Sequence, residues 1–166
     1  INIEKIKNPI LIAQALQKEK DRLLAGEGAF QFAKEKGFKP FDPRTLESIR
    51  RWKTLRKSGT YSTVGACVLD SRGRLAAATS TGGKGMERVG RVSDSGLPAG
   101  NFANSYAAVS ATGLGEDIVE EALANTIAAR ALDSNNLKKA LEQTFAEARK
   151  RKRRFAVVAL DRNGGI

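Results

Sequence analysis

The chain has 166 residues, 41% hydrophobic and 28% charged, a length and balance that fit one globular domain with its own core. It contains no histidine and a single cysteine, which excludes Ser-His-Asp and Cys-His catalysis, an internal disulfide and a cysteine-built zinc site. A formal charge of +11 asks for an acidic partner, or for an acidic remainder of a longer molecule.

In chain order, Asn8-Pro9 reads as an N-cap with proline at the first helical position, and Ile12, Ala13 and Leu16 share one face of a helix ending near Lys18. A short strand is expected at "RLLAG". A helix over "EGAFQFAKEKG" follows, stopped by Gly37. Asp42-Pro43 caps a third helix with Leu46, Ile49, Trp52 and Leu55 at helical spacing, Trp52 being a core contact. Residues 57–62, with Ser-Gly-Thr-Tyr-Ser, read as a linker. Two strands, about 63–69 and 74–81, are joined by a turn at Asp70-Ser71-Arg72-Gly73.

From Gly82 to Asn104 the glycine-rich chain has no period and reads as one long loop. A strand at "YAAVSATG" precedes one helix over "GEDIVEEALANTIAARAL", with Ile118, Ala122, Ile127 and Leu132 on one side. A last helix, "NNLKKALEQTFAEARK", aligns Leu137, Leu141 and Phe145, and a strand at 155–160 runs into Arg162-Asn163-Gly164-Gly165. The pattern predicts an α+β fold, helices covering a mostly antiparallel sheet in an αββα arrangement. The first residue, Ile1, and a final hairpin turn with no returning strand suggest an internal piece of a longer protein. No apolar run reaches the ~20 residues of a membrane span and no leader is visible, so a soluble cytoplasmic location is expected.

Little side-chain chemistry remains without histidine. "TGGKGMERVG" lacks both the dinucleotide and the P-loop spacing, and Cys67 within an apolar strand reads as an inert thiol. A threonine can act as a nucleophile when its own α-amino group takes the proton, and that amine titrates near ~8. Thr63, the first residue of a rigid strand behind a linker, has the right layout, provided that the chain is cut before it.

The segments "STVGACVLDSRGRLAAATSTGG", "GRVSDS" and "SATGLGE", with upstream "NPI", "GEGAFQFA" and "DPRTLESIRRW", closely resemble the plant-type asparaginase and isoaspartyl peptidase family of N-terminal nucleophile hydrolases. The resemblance runs from about residue 7 to 165. It implies that residues 1–62 are the C-terminal part of an α-subunit and 63–166 the β-subunit core, together one domain, with autocleavage between Ser62 and Thr63. By the same resemblance Thr63 is the nucleophile and Thr81 its hydrogen-bonding hydroxyl. Arg91 clamps the substrate α-carboxylate, Asp94 meets its α-ammonium, and Gly115 gives a backbone contact to that ammonium. Thr112 and Gly113 form the oxyanion hole. The family usually has Gly or Asp where Ser62 stands, and "PGRVGDSP" where this chain has "VGRVSDSG".

The implied activity is hydrolysis of L-asparagine or β-aspartyl dipeptides by a dimer of αβ units, with no cofactor and no metal in this chain. The alternative is a non-catalytic relative binding nucleic acid through the basic runs "RRWKTLRK" (50–57) and "RKRKRR" (149–154).

Overall fold

Burial of apolar faces sorts the chain into two units in the computed structural model, which describes residues 1–54, 63–85 and 87–165, and only the backbone of Arg51 and Trp52. The first unit takes residues 1–62 and 82–92, the second 63–81 and 93–166.

In the first unit, α1 (Pro9–Leu16) begins on the expected proline, although the Asn8 side chain makes no capping bond. Ile12 and Leu16 are buried with Ile6, Phe32 and Ala33, while Ala13 is exposed, against expectation. The expected strand at "RLLAG" does not form. Instead the Ile1 amino group donates to the Leu24 carbonyl and the Gly26 N–H to the Ile1 carbonyl, so the N-terminus takes up this segment's bonding groups. Helix α2 (Gly26–Glu35) ends as expected at Gly37, whose φ of +81° suits glycine. The Phe38 N–H reaches the Ala33 carbonyl and the Gly37 N–H that of Lys34, the paired bonds of a Schellman stop.

Helix α3 (Leu46–Thr54) is capped by Thr45 and not by Asp42. The Thr45 hydroxyl accepts from the Ser48 N–H and the Ser48 hydroxyl from the Thr45 N–H, a reciprocal box. Asp42 instead turns the chain locally, accepting from the backbone and side chain of Arg44. Leu46 is 75% exposed, so it carries no part of the expected apolar face. The expectations for the Trp52 side chain, Leu55 and the 57–62 linker fall outside the described residues.

The second unit begins with the expected antiparallel pair, β1 (Thr63–Leu69) and β2 (Leu75–Thr81), in a register that sets Thr63 opposite Thr81. Their turn is set by Asp70, whose Oδ1 accepts from the N–H groups of Arg72 and Arg74, and by Gly73 at φ +73°. The expected long loop contains structure: a 3-10 turn at Asp94–Gly96 and a short strand, β3 (Asn101–Ala103). β3 is stabilised from outside by its ladder with β4 (Ala107–Gly113), itself paired with β5 (Phe155–Asp161).

The helix expected over 115–132 is two helices, α4 (Gly115–Glu120) and α5 (Leu123–Ser134), broken at Ala122 with φ +44°. The apolar period runs through the break, but loop carbonyls intercept the helix. The N–H of Ala124 bonds Ala99 O at 2.9 Å and that of Asn125 bonds Pro98 O at 3.2 Å. Ile118 and Ile127 are fully buried as expected, whereas Ala122 and Leu132 are exposed. Helix α6 (Leu137–Lys150) starts on Asn136, which accepts from the Lys139 N–H. Val109, Ala111, Ile118, Leu123, Ile127 and Ala159 form the core between the three-stranded sheet and the helices. No helix among the described residues is long and apolar enough to cross a membrane.

The other face of that sheet meets the β1–β2 pair. Contact is closest at Gly65, where an added Cβ would lie on the Ser110 hydroxyl and 3.1 Å from the Ser110 Cβ. The buried Thr79, opposite Gly65 on β2, is 2.7 Å from the Ser110 hydroxyl through its own. Gly65→Ala is therefore expected to destabilise the fold by about 1–3 kcal/mol through overpacking. Adding Ser110→Gly is expected to recover part of that loss, a coupling that urea unfolding of the single and double variants measures.

Candidate active site

Side chains alternate along a strand, so the contact between Gly65 and Ser110 fixes what its neighbours face. Thr63 lies two residues before Gly65 on β1, and Thr112 two residues after Ser110 on β4. Both therefore face the side on which the two sheets meet. The strand register places Thr81 beside Thr63, and their hydroxyl oxygens are 3.5 Å apart, at the outer limit of a hydrogen bond. Thr63 is half-buried and Thr81 exposed, so the pair sits where the strands open to solvent.

The β4–α4 corner holds Thr112 and Gly113. Gly113 has φ +136°, and a Cβ there would lie 2.6 Å from both Arg154 O and Phe155 Cα, so only glycine fits. The Ala111 N–H bonds Gly100 O at 2.8 Å and the Leu114 N–H bonds Arg154 O at 2.9 Å. By alternation the N–H of Gly113 turns toward the Gly100 side, away from β5. Gly115 follows, buried, as the first residue of α4.

Asp94, 7% exposed, begins the 3-10 turn and accepts from the Ser93 hydroxyl at 2.8 Å. It is crowded by Gly100, where a Cβ would lie 2.8 Å from Asp94 Oδ2 and nearer still to the Asp94 carbonyl oxygen. Arg91 belongs to the first unit, where its guanidinium is 3.9 Å from Glu87 and its carbonyl accepts from the Asn2 amide. Ser62, one side of the expected cleavage bond, lies outside the described residues.

Sequence reasoning missed three supports of this region: the Thr79–Ser110 hydroxyl pair, Gly100 and Asp117. Thr79 and Ser110 stand on unlinked strands and Gly100 in an unpatterned loop, so no local period marks them. Cys67 behaves as expected. Its thiol donates to Val158 O at 3.4 Å, and burial pushes its pKa up, keeping it protonated at neutral pH.

The Thr63–Thr81 pair thus stands at one end of β1–β2, Thr112 and Gly113 at the end of β4, and the buried Asp94 in the 3-10 turn ahead of β3. The chain belongs to the asparaginase family, whose sequence profile matches residues 1–62 and 52–166. It is similar to an isoaspartyl peptidase/L-asparaginase of Nostoc sp., 42% identical over 186 aligned positions that take in 100% of this chain and 58% of that protein. A protein of the same description from Synechocystis sp. is 41% identical, covering 100% and 56%. A plant-type L-asparaginase of Pyrococcus horikoshii is 39% identical, covering 73% and 47%. The chain spans about half the length of the curated relatives it matches.

Because a Cβ at Gly100 would meet both the carbonyl and the carboxylate of Asp94, Gly100→Ala is expected to destabilise the fold by about 1–3 kcal/mol. Urea unfolding of the single variant measures the loss, and unchanged stability would show that the Asp94 turn can shift freely.

Proposed function

We propose that the protein to which these residues belong is an amide hydrolase for L-asparagine, β-aspartyl dipeptides or both, activated by autoproteolysis before Thr63. The observation that carries this reading is the Thr63–Thr81 hydroxyl pair at the open end of β1–β2, in a chain of the asparaginase family. The relatives described as isoaspartyl peptidase/L-asparaginase support the substrate class.

In activation, the Thr63 hydroxyl attacks the Ser62 carbonyl and the acyl group moves from nitrogen to oxygen. Water then hydrolyses the ester, leaving Thr63 with a free α-amine. In turnover that amine takes the hydroxyl proton as Thr63 Oγ1 attacks the substrate's side-chain carbonyl. The Thr112 hydroxyl and the Gly113 N–H hold the oxyanion. Collapse expels ammonia or the peptide amine, which leaves with the proton, and water cleaves the aspartyl ester. Arg91 offers a fork for the α-carboxylate, and Asp94 and the Gly115 backbone are the partners of the α-ammonium.

The same reading assigns residues 1–62 to the end of the α-subunit and 63–166 to the core of the β-subunit. It also assigns an αββα sandwich, a dimer of αβ units and a cytoplasmic location. The helical layer on β3–β4–β5 and the β1–β2 pair on its opposite face support the sandwich assignment. The nucleic-acid alternative loses its main support in the run 149–154. Arg151 pairs with Glu121 at 2.5 Å, and Arg153 with Asp117 at 3.0 Å and with Glu120.

Intact mass spectrometry of purified protein is expected to show two pieces meeting at the 62–63 bond, and one uncut chain for Thr63→Ala. A single mass for the unsubstituted protein after prolonged incubation at neutral pH sinks the catalytic reading. In the cleaved enzyme the base must be unprotonated, so kcat/KM is expected to rise with pH and level off above the amine's pKa, near ~8 before any local shift. A pH profile flat from 6 to 9 argues against the amine as the base.

A further inference from the structure

The strongest unassigned feature is a carboxylate behind the β4–α4 corner. Asp117, in the first turn of α4, is 8% exposed, and its two oxygens serve consecutive residues of one distant segment. Oδ1 accepts from Arg153 Nη1 at 3.0 Å and Oδ2 from the backbone N–H of Arg154 at 2.9 Å. That segment leaves α6 through a left-handed residue, Lys152 at φ +58°, with the Arg153 N–H on Ala148 O. The Arg154 carbonyl then returns to the corner, accepting from the Leu114 N–H at 2.9 Å and filling the space beside Gly113.

We propose that Asp117 is a positioning residue for the oxyanion site: its carboxylate fixes the Arg153–Arg154 backbone, and through it the orientation of the Gly113–Leu114 corner. This rests on the amidase reading for its consequence in catalysis, while the mechanical link stands on the bonds alone. The neighbouring carboxylates do not share the role. Among the described residues the Glu120 and Glu121 carboxylates bond the Arg153 and Arg151 side chains and no main chain, and Glu120 is 59% exposed, where an ion pair contributes little. Asp117 alone among the three bonds the main chain. Because the oxyanion donor acts only on the developing charge, the effect belongs in kcat and not in KM.

The test uses the full-length cleaved protein with Asp117→Ala, Asp117→Asn and Glu120→Gln. Steady-state hydrolysis of L-asparagine and a β-aspartyl dipeptide is read beside NMR amide exchange at Leu114, with Ala111 as internal control. Asp117→Ala is expected to lower kcat about tenfold to hundredfold per cleaved site, with KM within about twofold. Its Leu114 exchange should accelerate about tenfold or more while that of Ala111 holds. Asp117→Asn must turn its NH2 toward one of the two donors, and should fall between Asp117→Ala and the unsubstituted protein in both readouts. If Asp117→Ala does not fold, Asp117→Asn decides by the same pair of measurements. Glu120→Gln should match the unsubstituted protein. Unchanged Leu114 exchange, or a Glu120→Gln loss as large as that of Asp117→Ala, overturns the proposal. An unsubstituted protein that hydrolyses neither substrate, with Leu114 exchange still accelerated by Asp117→Ala, overturns the amidase reading and leaves the link in place.

Discussion

Everything at the candidate site depends on how closely β1 can lie against β4. Gly65 has no Cβ, and the Ser110 hydroxyl occupies the space one would need. That hydroxyl is shared with Thr79 on β2, which also reaches the Gly100 carbonyl, so a buried polar contact ties the hairpin to both β3's approach and β4. Burying hydroxyls between sheets is costly unless each finds a partner, and here each does. The result is a fixed spacing between two strands whose ends carry Thr63 and Thr112. Gly100 sits at the hub, with its carbonyl shared by Thr79 and Ala111 and its missing side chain leaving room for Asp94.

Legibility in the sequence followed the range of the forces. The β1–β2 pair was readable because its turn, Asp70 to Gly73, lies within a few residues of both strands, while the link of Thr63 to Thr81 came from the family resemblance. The stop at Gly37 was readable for the same reason: its bonds close within a few residues. The break at Ala122 was not, because the apolar period continues across it and the carbonyls that end the helix belong to Pro98 and Ala99. β3 was hidden for a similar cause, three residues made into a strand by pairing with β4. At the site, motif likeness named Thr63, Thr81, Arg91, Asp94, Thr112, Gly113 and Gly115. It was silent on Gly100, Ser110 and Asp117, which work through residues far along the chain.

The charge of the chain has a similarly non-local explanation in part. The run at 149–154 is among the most basic in the sequence, yet two of its arginines face the acids of α4 and its C-cap Glu121, some thirty residues earlier. Arg130 likewise pairs with Glu147 at 2.8 Å. A basic cluster in one dimension is thus partly a mixed-charge seam in three, joining α4, α5 and the end of α6.

The capping of α5 by the loop ahead of β3 bears on how this protein unfolds on heating. Pro98 and Ala99 lend their carbonyls to the first turn of a helix whose inner face is wholly enclosed. A loop held this way cannot loosen without exposing the start of the core helix. The segment carrying Asp94 therefore has no inexpensive partial opening of its own, and its local melting is tied to cooperative unfolding of the whole layer. Heat should leave the Asp94 loop intact up to the temperature at which the core itself gives way.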